Sequence, residues 1–151
     1  MELVISDASC IIALEDIDEL RILKGLFNQV VVTDIVKGEI QVELPNWIKV
    51  STDYEDRELK ILELELDRGE ASAIALALKN PGSRIILDER KGRKVAKRLG
   101  VKVIGTLGLI IKAKQAGIIP SGKAVLEKLE DHGFWLSARM KQSLLEKLDE
   151  K

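Results

Sequence analysis

The amino-acid sequence predicts an α/β fold of three layers, α/β/α, with a central parallel sheet. Two observations predict it. The candidate strands 3–6, 30–32, 85–87 and 101–104 are short, nearly continuous apolar runs, as strands covered on both faces are. Helical segments separate them, the pattern of parallel strands joined by crossovers. The 151 residues suit one domain at roughly 100–200 residues each. Its core spans about residues 1–120, with a C-terminal helical extension over about 121–151.

The elements follow in order. Residues 3–6 form a strand that ends at Asp7. Residues 8–14 are apolar again, and Asp18 opens an amphipathic helix to about Phe27, with Asn28 as its stop. After the β-branched strand 30–32, Thr33 caps a helix over 34–43, which Pro45 ends. Residues 47–50 read as a short extended piece. A Leu/Glu helix covers 55–66, and residues 67–70 turn into a very apolar helix over 71–78. Asn80-Pro81-Gly82 is a turn. Strand 85–87 leads to a basic helix over 90–99, stopped by Gly100. Strand 101–104 leads to a helix over 107–116, with Gly117 past its end. Ser121 and Ser137 cap two further helices, over 121–131 and 137–149. Residues 134–136 between them read either as an added edge strand or as a core anchor.

Composition narrows the function. Hydrophobic residues make up 46% and charged residues 32%, which excludes a disordered chain. No apolar stretch reaches the ~18 residues of a membrane span, and MELVISD is too short and too acidic for a secretory signal. A soluble cytoplasmic protein is expected. With Cys10 as the one cysteine there is no internal disulfide or Cys-rich zinc site, and with His132 as the one histidine a Ser-His-Asp hydrolase is disfavoured. Cys10 reads as a buried thiol and His132 as a partner of a helix C-terminus. Trp47 and Trp135 read as core or dimer contacts. Lys and Arg number 24 against 25 acids, so the chain as a whole is not basic, although a local basic patch is allowed.

Four carboxylates break local rules. Asp7 and Asp88 stand directly after the first and third strands. In a parallel sheet both reach the carboxyl edge, where open α/β folds bind ligands; each also suits a helix cap. Glu39 lies four residues after Ile35 and three after Val36, on their face of the predicted helix. It is either a carboxylate on the buried stripe, which needs a partner or a metal, or one that escapes at the helix edge. Glu70 opens the Ala-rich helix, either as part of a site or in a capping box with Asp67. Four acids on four elements, with so little His and Cys, suit a hard cation, Mg2+ or Mn2+. Beside them, Arg90, Lys91, Arg93, Lys94, Lys97 and Arg98 form the one dense block of positive charge. It is either a solvated helix face or a surface for a phosphate backbone. No aromatics interleave it for base stacking.

VISDAS (4–9), Gly38-Glu39-Ile40, GEASAIALA (69–77), ILDER (86–90) and GTLGLIIKAKQAGIIP (105–120) together resemble the PIN-domain nucleases. The likeness is greatest to VapC-like toxin ribonucleases and their PIN-like relatives, and it covers about residues 3–120. The resemblance implies a sheet of order 3-2-1-4-5 and a crevice of three or four acids holding Mg2+ or Mn2+. It implies hydrolysis of single-stranded RNA, with Asp7, Glu39, Glu70 and Asp88 as catalytic acids, and Asp7, Glu70 and Asp88 as metal ligands. Glu70 stands where many members have Asp. Ser9, Glu89 and Thr106 fall near the implied site as accessory groups. A homodimer and a small antitoxin partner are also implied. The rival reading is a catalytically silent PIN-like module that binds RNA or a protein. A phosphotransfer domain is disfavoured because no second acid accompanies Asp7, and a dinucleotide-binding domain because no G-x-G-x-x-G follows the first strand.

Overall fold

A computed structural model describes residues 3–150. Five strands form one parallel sheet in the order β3-β2-β1-β4-β5: β1 (Leu3–Ser6), β2 (Gln29–Thr33), β3 (Ile48–Ser51), β4 (Arg84–Ile86) and β5 (Lys102–Ile104). Val4 pairs in register with Val30 on one side and Arg84 on the other, so β1 is the centre of the sheet. Period-two alternation makes two cores. Val4, Val30, Val32 and Ile86 face one, under helices α1 (Ala8–Asp16), α2 (Arg21–Leu26), α7 (Thr106–Gln115), α8 (Gly122–Asp131) and α9 (Ala138–Lys147). Ile5, Ile85 and Leu87 face the other, under α4 (Asp56–Leu62), α5 (Arg68–Lys79) and α6 (Arg90–Arg98). The expected three layers are present. Helix α5 is buried without interruption from Ala71 to Ala77. Its Ala-rich surface lets it lie close against the sheet.

Several local expectations are corrected. The helix expected from Asp18 begins at Arg21, because Asp18 takes a left-handed turn (φ 58°). The helix expected over 34–43 is α3 (Asp34–Glu39). Thr33 caps it as expected, its hydroxyl accepting from Val36 N, but Ile40 leaves in extended conformation and buries its side chain elsewhere. Helix α5 starts three residues earlier than the apolar run, at the cap Asp67. Residues 134–136 form no strand. Phe134 and Leu136 pack against the first core, whereas Trp135 is 75% exposed and anchors nothing in this chain. Trp47 packs on the first core, Cys10 is buried, and His132 caps α8 with its ring bonded to Lys128 O. Among the described residues no helix is long and apolar enough to cross a membrane.

Candidate active site

The strand order decides where the acids go. β1 and β4 are hydrogen-bonded neighbours, and Asp7 N donates to Ile86 O at 3.1 Å. Asp7 and Asp88 therefore leave the same edge of the sheet side by side. Asp7 is 5% exposed. Its Oδ1 accepts from Cys10 N at 3.1 Å, capping α1, and its Oδ2 accepts from Ser9 Oγ at 2.9 Å. The capping and site readings of Asp7 are thus compatible. Asp88 also caps, but a helix in another part of the chain. Its Oδ1 accepts from Thr106 N at 2.8 Å and its Oδ2 from the buried Thr106 hydroxyl, so β4 holds the start of α7.

Glu39 and Glu70 approach from two helices. Glu39 is the last residue of α3 and is exposed, so it is no carboxylate on a buried stripe. The reading of an acid at the helix edge is the correct one, because the helix ends there. The side chain nevertheless turns onto the first turn of α5. A Cβ built on the buried Gly69 would stand 2.4 Å from Glu39 Oε2 and 2.7 Å from Oε1. The missing side chain at Gly69 is what admits this carboxylate. Asp67 caps α5 by accepting from Glu70 N at 2.9 Å, which puts half-buried Glu70 at the helix start. Asp7, Ser9, Glu39, Asp67 and Glu70, with Ala8 and Gly69, line one cleft of about 80 Å³.

The cleft is electrostatically strained. Burial lifts the Asp7 carboxyl to about 6, offset in part by the Cys10 N–H and reinforced by the charge of Asp88. Burial lifts Glu70 to about 7, with added repulsion from Asp67, Glu89, Asp7 and Glu39. Burial and Asp67 also raise Glu39. Burial and the charge of Asp7 push the Cys10 thiol up, so it is no nucleophile. Asp88 thus acts on Asp7, and Asp7, Glu39 and Glu89 act on Glu70, all from elements well separated along the chain.

A family model described as PIN domain matches residues 3–150. The chain belongs to the PIN-domain family. Comparison with curated proteins and with solved structures gives no match. The strand order and the carboxylates at the sheet edge in this PIN domain agree with that membership.

PIN domains typically use divalent metal ions. The donors of this cleft, carboxylate and hydroxyl oxygens without nitrogen or sulfur, are the chemistry that hard divalent cations take, and an added positive charge would relieve the mutual repulsion. As the side chains stand, no group of three or more His, Cys, Asp or Glu among the described residues closes to metal-holding distance. The donor types fit; the shell requires side chains to rotate inward.

The other expected residues spread out. Ser9 lies in the cleft, on Asp7. Thr106 is spent on Asp88. Glu89 caps α6 by accepting from Gly92 N at 2.8 Å. Arg90, Lys91 and Lys94 are exposed on the half of α6 that begins beside Asp88, and Arg93 borders a cavity with Asp88. Lys97 and Arg98 end the helix, about 10 Å further along its axis. They do not reach the cleft. Two residues were missed. In the sequence Asp67 reads only as a cap, a role that satisfies local rules and hides the second one. Gly69 gives no signal of its own; only its place beside Glu70 could have suggested a close approach.

Proposed function

We propose that this PIN domain is a Mg2+- or Mn2+-dependent endoribonuclease that hydrolyses single-stranded RNA, acting as the toxin of a toxin–antitoxin pair and as a homodimer. The observation that carries the reading is the cleft in which Asp7, Glu39 and Glu70 converge from three elements, where burial and neighbouring acids raise all three carboxyls. A divalent cation held by these oxygens would relieve that repulsion.

A Mg2+ or Mn2+ ion, when bound, supplies positive charge to the phosphoryl oxygens and to the attacking water. Asp7, Glu70 and Asp88 would hold it. Asp7 has the most constrained position, fixed by Cys10 N and Ser9 Oγ. Glu39, at the mouth of the cleft over Gly69, would orient the water and accept its proton. Arg90, Lys91 and Lys94 would draw the RNA backbone toward the Asp88 side.

Asp7→Asn tests the assignment. The variant keeps the cap on α1, since the amide oxygen still accepts from Cys10 N, and is expected to lose metal-dependent cleavage of a single-stranded RNA oligomer at least a hundredfold. Wild-type cleavage by a preparation of this variant purified identically would overturn it. The rival reading, a silent RNA- or protein-binding module, has one observation in its favour. Both oxygens of Asp88 are already engaged by Thr106. Wild-type protein that binds RNA but leaves it intact with either cation would select that reading.

A further inference from the structure

Asp88, which leaves the sheet edge beside Asp7, does not line the acidic cleft but a separate cavity of about 470 Å³ that contains none of the other acids. Its floor is the first turn of α7. Gly105 and Gly108 keep that floor open: a Cβ on Gly105 would meet Arg93 Nη1 at 2.8 Å and Asp88 Oδ1 at 2.9 Å, and one on Gly108 would meet Ile104 Cγ1 at 3.2 Å. Phe134, from the segment after α8, and Met140, in the first turn of α9, line the cavity. Arg93 stands at its rim. The half-buried guanidinium has five N–H donors. Its Nη1 donates to Leu87 O at 2.9 Å, and among the described residues no carboxylate forms an ion pair with it.

A planar cation with unspent donors at the mouth of an aromatic-lined cavity, next to a carboxylate cleft, defines its occupant by chemistry. We propose that this cavity is a nucleotide subsite, which takes one nucleotide of single-stranded RNA adjacent to the position cleaved. The base lies against Phe134 and Met140, and the phosphate pairs with Arg93. The inference rests on the ribonuclease reading and adds to it the place where a base is held. The volume falls in the range of roughly 300–1,000 Å³ of small-molecule sites. An aromatic ring offers a stacking face to any base, which α6 with its basic residues does not. The guanidinium fork matches a phosphate. An apolar polypeptide segment would satisfy Phe134 and Met140 but bring no anion to the donors of Arg93 that Leu87 O leaves unused.

The test is binding, not cleavage. Labelled ten-residue homopolymers of A and U are titrated with protein in EDTA and followed by fluorescence anisotropy. Phe134→Leu keeps the apolar volume and removes the ring; Arg93→Met keeps the stem and removes the charge. Thermal melts confirm that both fold. Phe134→Leu is expected to weaken the A polymer about fivefold or more, and the U polymer less. Arg93→Met is expected to weaken both alike and to lower the salt dependence by about one counterion. Wild-type affinities in Phe134→Leu overturn the subsite, and if wild-type protein still cleaves RNA in an Asp7-dependent way the ribonuclease reading survives. A protein that binds neither polymer overturns the subsite, and the ribonuclease reading then stands or falls on Asp7-dependent cleavage with added Mg2+ or Mn2+. Affinities lost in Arg93→Met alone reduce the cavity to a phosphate contact and also overturn the base subsite.

Discussion

Asp7 and Glu70 hold their protons more tightly in the folded chain than in an unfolded one, where acids of their type titrate near 4. Folding therefore takes up protons between about pH 4 and pH 7, and the stability of the metal-free protein falls as pH rises through that window. Melting temperature in EDTA should climb from pH 8 to pH 5. Asp7→Asn and Glu70→Gln should each flatten the slope and melt higher than wild type at pH 8, because a neutral amide replaces a disfavoured charge. Identical slopes in wild type and both variants would show that the cleft carries no such strain. Gly69 gives a second prediction. Alanine favours a helix over glycine by up to about 1 kcal/mol, and the atoms it would meet are the ends of the flexible Glu39 side chain. Gly69→Ala should therefore keep or raise the melting temperature while displacing Glu39 and reducing cleavage about tenfold. Equal cleavage rates would mean that the Glu39 carboxylate does nothing at that position.

The position of a residue along its element decides whether it reaches the site, and here the sequence was partly transparent. Continuous apolar runs marked β1, β2, β4 and β5, and the chemistry of a parallel sheet carried Asp7 and Asp88 to one edge before any coordinate was known. The role of Glu39 is obscured because the helical periodicity continues four residues past the true end of α3. Ile40 looks like the next apolar position of a helix but is a buried residue of extended backbone. Asp67 was obscured by its own good cap geometry. The cavity at Phe134 is not legible in the sequence, since β5, α6, α7, α9 and the segment before α9 build it together. Helix α6 shows how composition can overstate a surface. Its six cations read as one patch, but the helix rises about 1.5 Å per residue, so Lys97 and Arg98 stand near the opposite edge of the sheet from Asp88. The charge-reversal pair Arg90→Glu and Lys94→Glu should weaken single-stranded RNA binding about tenfold or more at low salt. Lys97→Glu with Arg98→Glu should change it less than threefold. Equal losses would mean that the strand runs the length of α6 and that nearness to the cleft does not govern binding.

Across the whole molecule, the groups that titrate act in opposite senses at opposite ends. The cleft loses stability as its acids ionise. Away from it, the Glu150 carboxylate bridges elements of the first core. It accepts from Ser121 Oγ at 2.6 Å and from Gly122 N at 2.8 Å at the start of α8, and lies 3.4 Å from Lys114 Nζ in the last turn of α7. The hydroxyl and N–H donors hold Glu150 below the usual glutamate range. Its contribution is therefore complete above the ordinary value near 4.3 and is lost as pH falls through the lower folded value. The metal-free protein should thus be most stable near pH 4, where the cleft acids are discharged and this clasp is still charged. Glu150→Gln tests that arrangement. Hydrogen bonds to a charged group contribute about 1.5–3 kcal/mol when shielded, and solvent near this one reduces the figure to about 1 kcal/mol. The variant should melt about 2–4 °C below wild type at pH 7 and converge with it in acid, once Glu150 takes up its proton in the folded protein, with cleavage at 25 °C unchanged. A deficit that persists undiminished in acid would assign the loss to packing around α8 rather than to the charge of Glu150, and the stability maximum would then be set by the cleft alone.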